Sequence, residues 1–180
     1  MTDLTVWPRA LPAALTALSE QVAAVLGMSS HPVSQLSELG AADGPLLVVL
    51  TGAELGHSEL FPALERIIDG RSAPTALVIG DGWIGTEGPD ISAALVGAGT
   101  VALARSIAVR RHPTGRVNVV CVPEVLIGEA GSQRGPPALE IRSADIAEVV
   151  AFVLGDQSSY IDGQVLYADG GRQLFSSLTA

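Results

Sequence analysis

The stretch Ser143–Gly171, SADIAEVVAFVLGDQSSYIDGQVLYADGG, decides the fold class. Ile146, Ala147, Val150, Ala151 and Leu154 recur at helical spacing, so a short helix is expected over Ala144–Leu154. Ser143 stands as its N-cap and Asp145 lies in the first turn, where a carboxylate complements the dipole. Gln164–Tyr167 (QVLY) then reads as a short strand closed by the turn residues Asp169-Gly170-Gly171. Working back from there, Val117–Val122 (VNVVCV), Thr75–Ile79 (TALVI) and Leu46–Leu50 (LLVVL) are apolar runs of the kind found in strands buried on both faces. Helical patterns separate them, over Ile91–Arg111, Glu59–Asp69 and Ala10–Gly27. Strands alternating with helices mean an α/β fold with a mainly parallel sheet. Leu4–Trp7 (LTVW) reads only as a weak, vestigial first strand, and Gly128–Ala138 reads as a loose surface loop.

Composition narrows the function classes. The 180 residues form one expected domain, residues 1–180, long enough to bury about 70% of the surface of the unfolded chain. They are 48% hydrophobic and only 16% charged, against about 25% in an average protein, which implies apolar surface covered by a partner. A net charge of −9 argues against binding nucleic acid or an anionic membrane surface. No secretory signal is evident, and no apolar stretch reads as long enough to span a membrane. Cys121 is the single cysteine, which fits a reducing, cytoplasmic setting. All ten basic residues are arginine, so a phosphate-loop lysine, a Schiff-base lysine and a Tyr/Lys catalytic pair are excluded.

Three segments resemble the short-chain dehydrogenase/reductase family: Ala102–Val122 (ALARSIAVRRHPTGRVNVVCV), Ser143–Gly171, and more loosely LLVVLTGAE with TALVIGDG. In order and spacing they cover about residues 46 to 175, and the C-terminal segment is the specific one. The resemblance implies a Rossmann-like, mainly parallel sheet with helices on both faces, shortened here in the N-terminal half. It also makes the departures informative. Placing Arg105-Ser106 on the family's catalytic helix puts the Tyr-x-x-x-Lys positions at Ala93 and Gly97, and the catalytic Ser near Gly80, beside Asp81. The turn Trp7-Pro8-Arg9-Ala10 lacks the family's glycines. With only about 45 residues before LLVVL, the second and third strands are expected to be missing, along with the adenosine half of the cofactor site. No cofactor, and no NAD(P) in particular, is therefore expected on this chain. The run Gly97-Ala98-Gly99-Thr100-Val101-Ala102 matches GxGxxA, yet no acidic residue occurs between Asp90 and Glu124 to hold a ribose. Its glycines are read as allowing close helix packing.

Two functions from different classes are compatible with these residues. The first is a non-catalytic subunit that pairs with a full-length homologue active on a ketone or hydroxyacyl substrate, or with itself as a dimer or tetramer. The long helix is rich in Gly and Ala, which suits a close interface. The second is a homo-oligomeric non-redox enzyme of the isomerase, dehydratase or cyclase type, built at the carboxyl ends of the strands. Its catalytic candidates are His57, Asp81 and Trp83, with Glu54, Glu87 and Glu124 nearby: a histidine beside a carboxylate acts as a general base, and an indole walls an apolar pocket. His31, His57 and His112 are too scattered for a metal site, so none is expected.

Overall fold

A computed structural model describes residues 3–7, 13–32, 44–50, 60–84, 91–127 and 142–176. Six parallel strands form one sheet: β1 (Leu4–Trp7), β2 (Ser30–Pro32), β3 (Leu46–Val49), β4 (Thr75–Gly80), β5 (Val117–Val122) and β6 (Val165–Tyr167), in the order β2-β1-β3-β4-β5-β6. Five helices accompany them: α1 (Ala13–Leu26), α2 (Leu60–Asp69), α3 (Ile91–Arg111), α4 (Ser143–Leu154) and α5 (Arg172–Ser176). α1 packs on α4, and α2 packs on α3; α3 and α4 each also lie against β4 and β5. β3, β4 and β5 are buried along their whole lengths, as strands covered on both faces must be. This is the Rossmann-like arrangement of parallel strands and helices.

The elements form where the apolar periodicity places them, with informative exceptions. Leu4–Trp7 is no vestige but a central strand, in register with Ser30–Pro32 on one side and with Leu46–Val48 on the other. The expected loss of the second strand is therefore corrected, since β1, α1 and β2 form a complete parallel crossover within the first 32 residues. α1 closes economically. Gly27 takes φ +65°, Met28 N–H donates to the Ala23 carbonyl and Gly27 N–H donates to the Ala24 carbonyl, a glycine-terminated cap. Ser143 is not the cap of α4 but its first residue; Arg142 precedes the helix and makes no side-chain cap bond. The expected loop Gly128–Ala138 lies outside the described residues.

The GxGxxA run lies inside α3, and a Cβ on Gly97 would overlap the Trp83 carbonyl oxygen. Close packing accounts for this glycine. Against the expectation from sequence, α3, at 21 residues, has the length and composition of a membrane span. Its packing is that of a core helix: Val96, Thr100, Ala104 and Ile107 are buried, and Arg110 pairs with Glu65 and Asp69 on α2.

The chain direction reverses its course across the sheet at one place. From β1 it moves outward to β2, then crosses back to β3 on the other side of β1. The carboxyl ends of β1 and β3 are thus a topological switch point, where open α/β sheets bind ligands.

Candidate functional site

In a parallel sheet every carboxyl end lies on one edge, so residues far apart in sequence meet there. Asp81 follows β4, Glu124 follows β5 and Asp169 follows β6, and all three are buried. Asp81 is the centre of this group. Its Oδ1 accepts from the N–H of Gly82 at 3.0 Å and of Glu124 at 3.3 Å, and its Oδ2 pairs with Arg172 Nε at 3.3 Å. Burial raises the Asp81 carboxyl above its ordinary range; Arg172 and the two backbone donors oppose that rise, and Asp169 adds to it. The Glu124 carboxylate rests against Gly82, where any side chain would collide with it.

Asp169 holds the Arg172 backbone in place. Its Oδ1 accepts from Gly171 N–H at 2.8 Å and its Oδ2 from Gln173 N–H at 2.9 Å, so the carboxylate starts α5 in the manner of an N-cap. Gly170 and Gly171 both adopt positive φ, which lets the chain turn sharply after β6 and bring Arg172 back to Asp81. Cys121, on β5, is fully buried, and burial pushes its thiol up to about 12, with Asp81 and Asp169 adding to the rise. It is no nucleophile at neutral pH.

Of the candidates read from sequence, Asp81 belongs to this cluster and Glu124 joins it. Trp83 is 1% exposed and packed under α3, as a core residue. His57, Glu54 and Glu87 lie outside the described residues. Arg172 and Asp169 were not singled out as site residues. The signal for them was topological: a residue directly after β6 shares an edge with one directly after β4.

Ala93 and Gly97, the residues at which the resemblance read from sequence would put the family's Tyr and Lys, are both buried in α3, with Gly97 against Trp83. The Trp83 main chain and Cβ stand where a side chain at 97 would extend.

No protein-family model matches the sequence, and no curated protein matches it. Solved structures do. The 3-alpha-hydroxysteroid dehydrogenase from Pseudomonas sp. B-0831, complexed with NADH, superposes with a TM-score of 0.69 at 18% identity, covering 99% of this chain and 100% of that one. Levodione reductase gives 0.68 at 18%, covering 96% and 97%. A short chain dehydrogenase family protein from Francisella tularensis gives 0.63 at 13%, covering 97% and 99%.

The fold is that of the short-chain dehydrogenases. The expectation that no NAD(P) belongs with this chain does not stand. A structure of the same fold holds NADH, and one of the two strands expected to be missing is present, beside the switch point. In this fold the switch point lies at the carboxyl ends of β1 and β3, and the segments that follow those strands lie outside the described residues. A nicotinamide dinucleotide supplies hydride chemistry when bound.

Proposed function

We propose that this chain is a short-chain dehydrogenase-like subunit that does not itself complete the redox reaction and works in the cytoplasm by pairing with a catalytically complete homologue. One observation carries the reading. The family's acid and its lysine are replaced by Ala93 and Gly97, and the space at 97 is taken by the Trp83 backbone. No lysine occurs in the sequence to lower the pKa of a phenol, so Tyr160 and Tyr167 have no such partner. Asp81, at the end of β4, spends its carboxylate on Arg172 and two backbone donors. Among the described residues, the side chains near the family's reacting position are thus taken up in bracing the fold.

Pairing is supported by the outer face of α3. Ile91, Leu95, Ala98, Ala102 and Val109 fall within one narrow stripe of the helix, with Ile91 79%, Leu95 67% and Val109 81% exposed. Contiguous exposed apolar surface of this kind marks an association face. A dinucleotide at the switch point is compatible with this role, since it would order the β1–β3 edge without any proton donor from this chain.

The test is recovery of the tagged chain from its native host, with the mass of the intact complex recorded and NADH titrated into the isolated chain. Stoichiometric recovery of a complete dehydrogenase homologue, with dehydrogenase activity that disappears when that homologue is removed, is the expected result. Recovery of this chain only as a homo-oligomer, or turnover by the isolated chain, overturns the reading.

A further inference from the structure

The chain leaves the sheet at the end of β6 and turns back across it. Ala168 N–H donates to the Cys121 carbonyl at 2.8 Å, at the end of the ladder between β6 and β5. Four residues later Arg172 pairs with Asp81, which follows β4. β5 lies between β4 and β6. Residues 169–172 therefore cross the carboxyl end of β5, on the edge where open α/β sheets take their ligands.

The crossing segment is built as an arm on a pivot. Asp81 is the fixed post, since its Oδ1 is held by the N–H groups of Gly82 and Glu124. Arg172 is on the moving side. It follows Gly170 and Gly171, both at positive φ, and a residue without Cβ changes φ at little cost. Beyond it, α5 has five residues, too few for a helix to persist by itself, and the Leu174 side chain is 70% exposed. Opening the arm breaks the Arg172–Asp81 pair and the bond from Gln173 N–H to the Asp169 carboxylate, and it needs no ladder bond of the sheet to break. Lids are drawn from segments whose local opening costs far less than unfolding.

We propose that residues 169–176 are a hinged strap, latched by Arg172 on Asp81, that closes the carboxyl end of β5 and opens while the sheet stays folded. Asp81→Asn removes the charge that draws Arg172 across and keeps an oxygen for the Gly82 and Glu124 N–H groups, so it releases the latch and leaves the post.

The test is limited trypsin digestion of the folded full chain, with the fragments read by mass. Trypsin takes the arginine side chain into its own pocket, so the bond after Arg172 is cut only while that side chain is off Asp81. The bond after Arg116, whose guanidinium is held by the Gly155 and Ser158 carbonyls beside the buried β5, reports opening of the sheet. The natural chain is expected to be cut faster after Arg172 than after Arg116, and Asp81→Asn to raise that ratio about fivefold or more. Equal rates at the two bonds of the natural chain, or a ratio that Asp81→Asn leaves unchanged, overturn the proposal. Arg172→Gln breaks the pair from its more exposed side and decides if Asp81→Asn does not fold. Read by hydrogen exchange, its Gln173 amide is expected to exchange faster than in the natural chain while the Val119 and Val120 amides of β5 keep their rates. A Gln173 rate that does not move overturns the latch.

Discussion

Asp81 shows what a single buried charge commits the fold to. Its carboxyl is raised above the unfolded value near 3.8, chiefly by burial. For an acid with a raised folded pKa, the native state binds the proton more tightly than the unfolded chain, so its contribution to stability is greatest at low pH and is lost as pH rises through the folded value. Comparing urea unfolding of the natural chain with Asp81→Asn, the balance is therefore expected to shift toward Asn as pH goes from about 4 to about 7. A shift the other way would mean that Arg172 outweighs burial. The neighbouring Cys121 gives a second test. With its thiol pushed up to about 12 and its side chain fully buried, it is expected to resist a thiol reagent at neutral pH in the folded chain and to react stoichiometrically once urea unfolds it. Sequence placed Asp81 at a strand end because glycines flank it after an apolar run. It could not place Arg172 there, since 91 residues separate the two and only the sheet order brings them to one edge.

At the scale of elements, the long buried strands were legible because an apolar run needs no partner to be read. β1 and β2 were not. Leu4–Trp7 has the polar Thr5 within it and so no unbroken apolar run, and Ser30-His31-Pro32 is polar, short and ends in proline, tolerated there because β2 is an edge strand. α3 rests on Gly97. Replacing it with Ala gains about 1 kcal/mol of helix propensity, yet the new methyl meets Trp83 main chain, which cannot swing aside. Overpacking of this kind costs about 1–3 kcal/mol, so Gly97→Ala is expected to destabilise the chain. Gly99→Ala is the control: its methyl meets only the end of the Phe61 ring at 2.8 Å, and it is expected to be milder in the same denaturation assay. The β5–β6 junction rests on Asn118. Its Nδ2 donates to the Ile161 carbonyl at 3.0 Å and its Oδ1 accepts from Gln164 N–H at 3.0 Å, fixing the loop that delivers β6. Arg116, just before β5, holds the turn that follows α4 through the carbonyls of Gly155 and Ser158. Asn118→Ala leaves two inward-facing groups unpaired and is expected to cost about 1–3 kcal/mol, with hydrogen exchange quickening first at β6.

Over the whole molecule, the charge is distributed so that one face stays apolar. The protein carries −9 net, yet α3 contains no acid, and its stripe from Ile91 to Val109 is interrupted only by Arg105 and Ser106. Six positions of that stripe are related about Thr100: Ile91 mirrors Val109, Ala98 mirrors Ala102, and Leu95 mirrors Arg105. A helix so patterned can meet either its own copy or a similar helix antiparallel, with alanines at the crossing and larger side chains at the ends. Leu95→Glu places an acid in the stripe without touching the buried face, where Ala93, Val96 and Gly97 pack. The folded chain should therefore keep its circular dichroism. Its sedimentation mass should fall to that of one chain, and recovery of any homologous partner should fall at least about tenfold, the equivalent of about 1.4 kcal/mol. An unchanged complex mass would move the association face to the other exposed apolar group, Phe152, Tyr160 and Tyr167, beside the β6 edge.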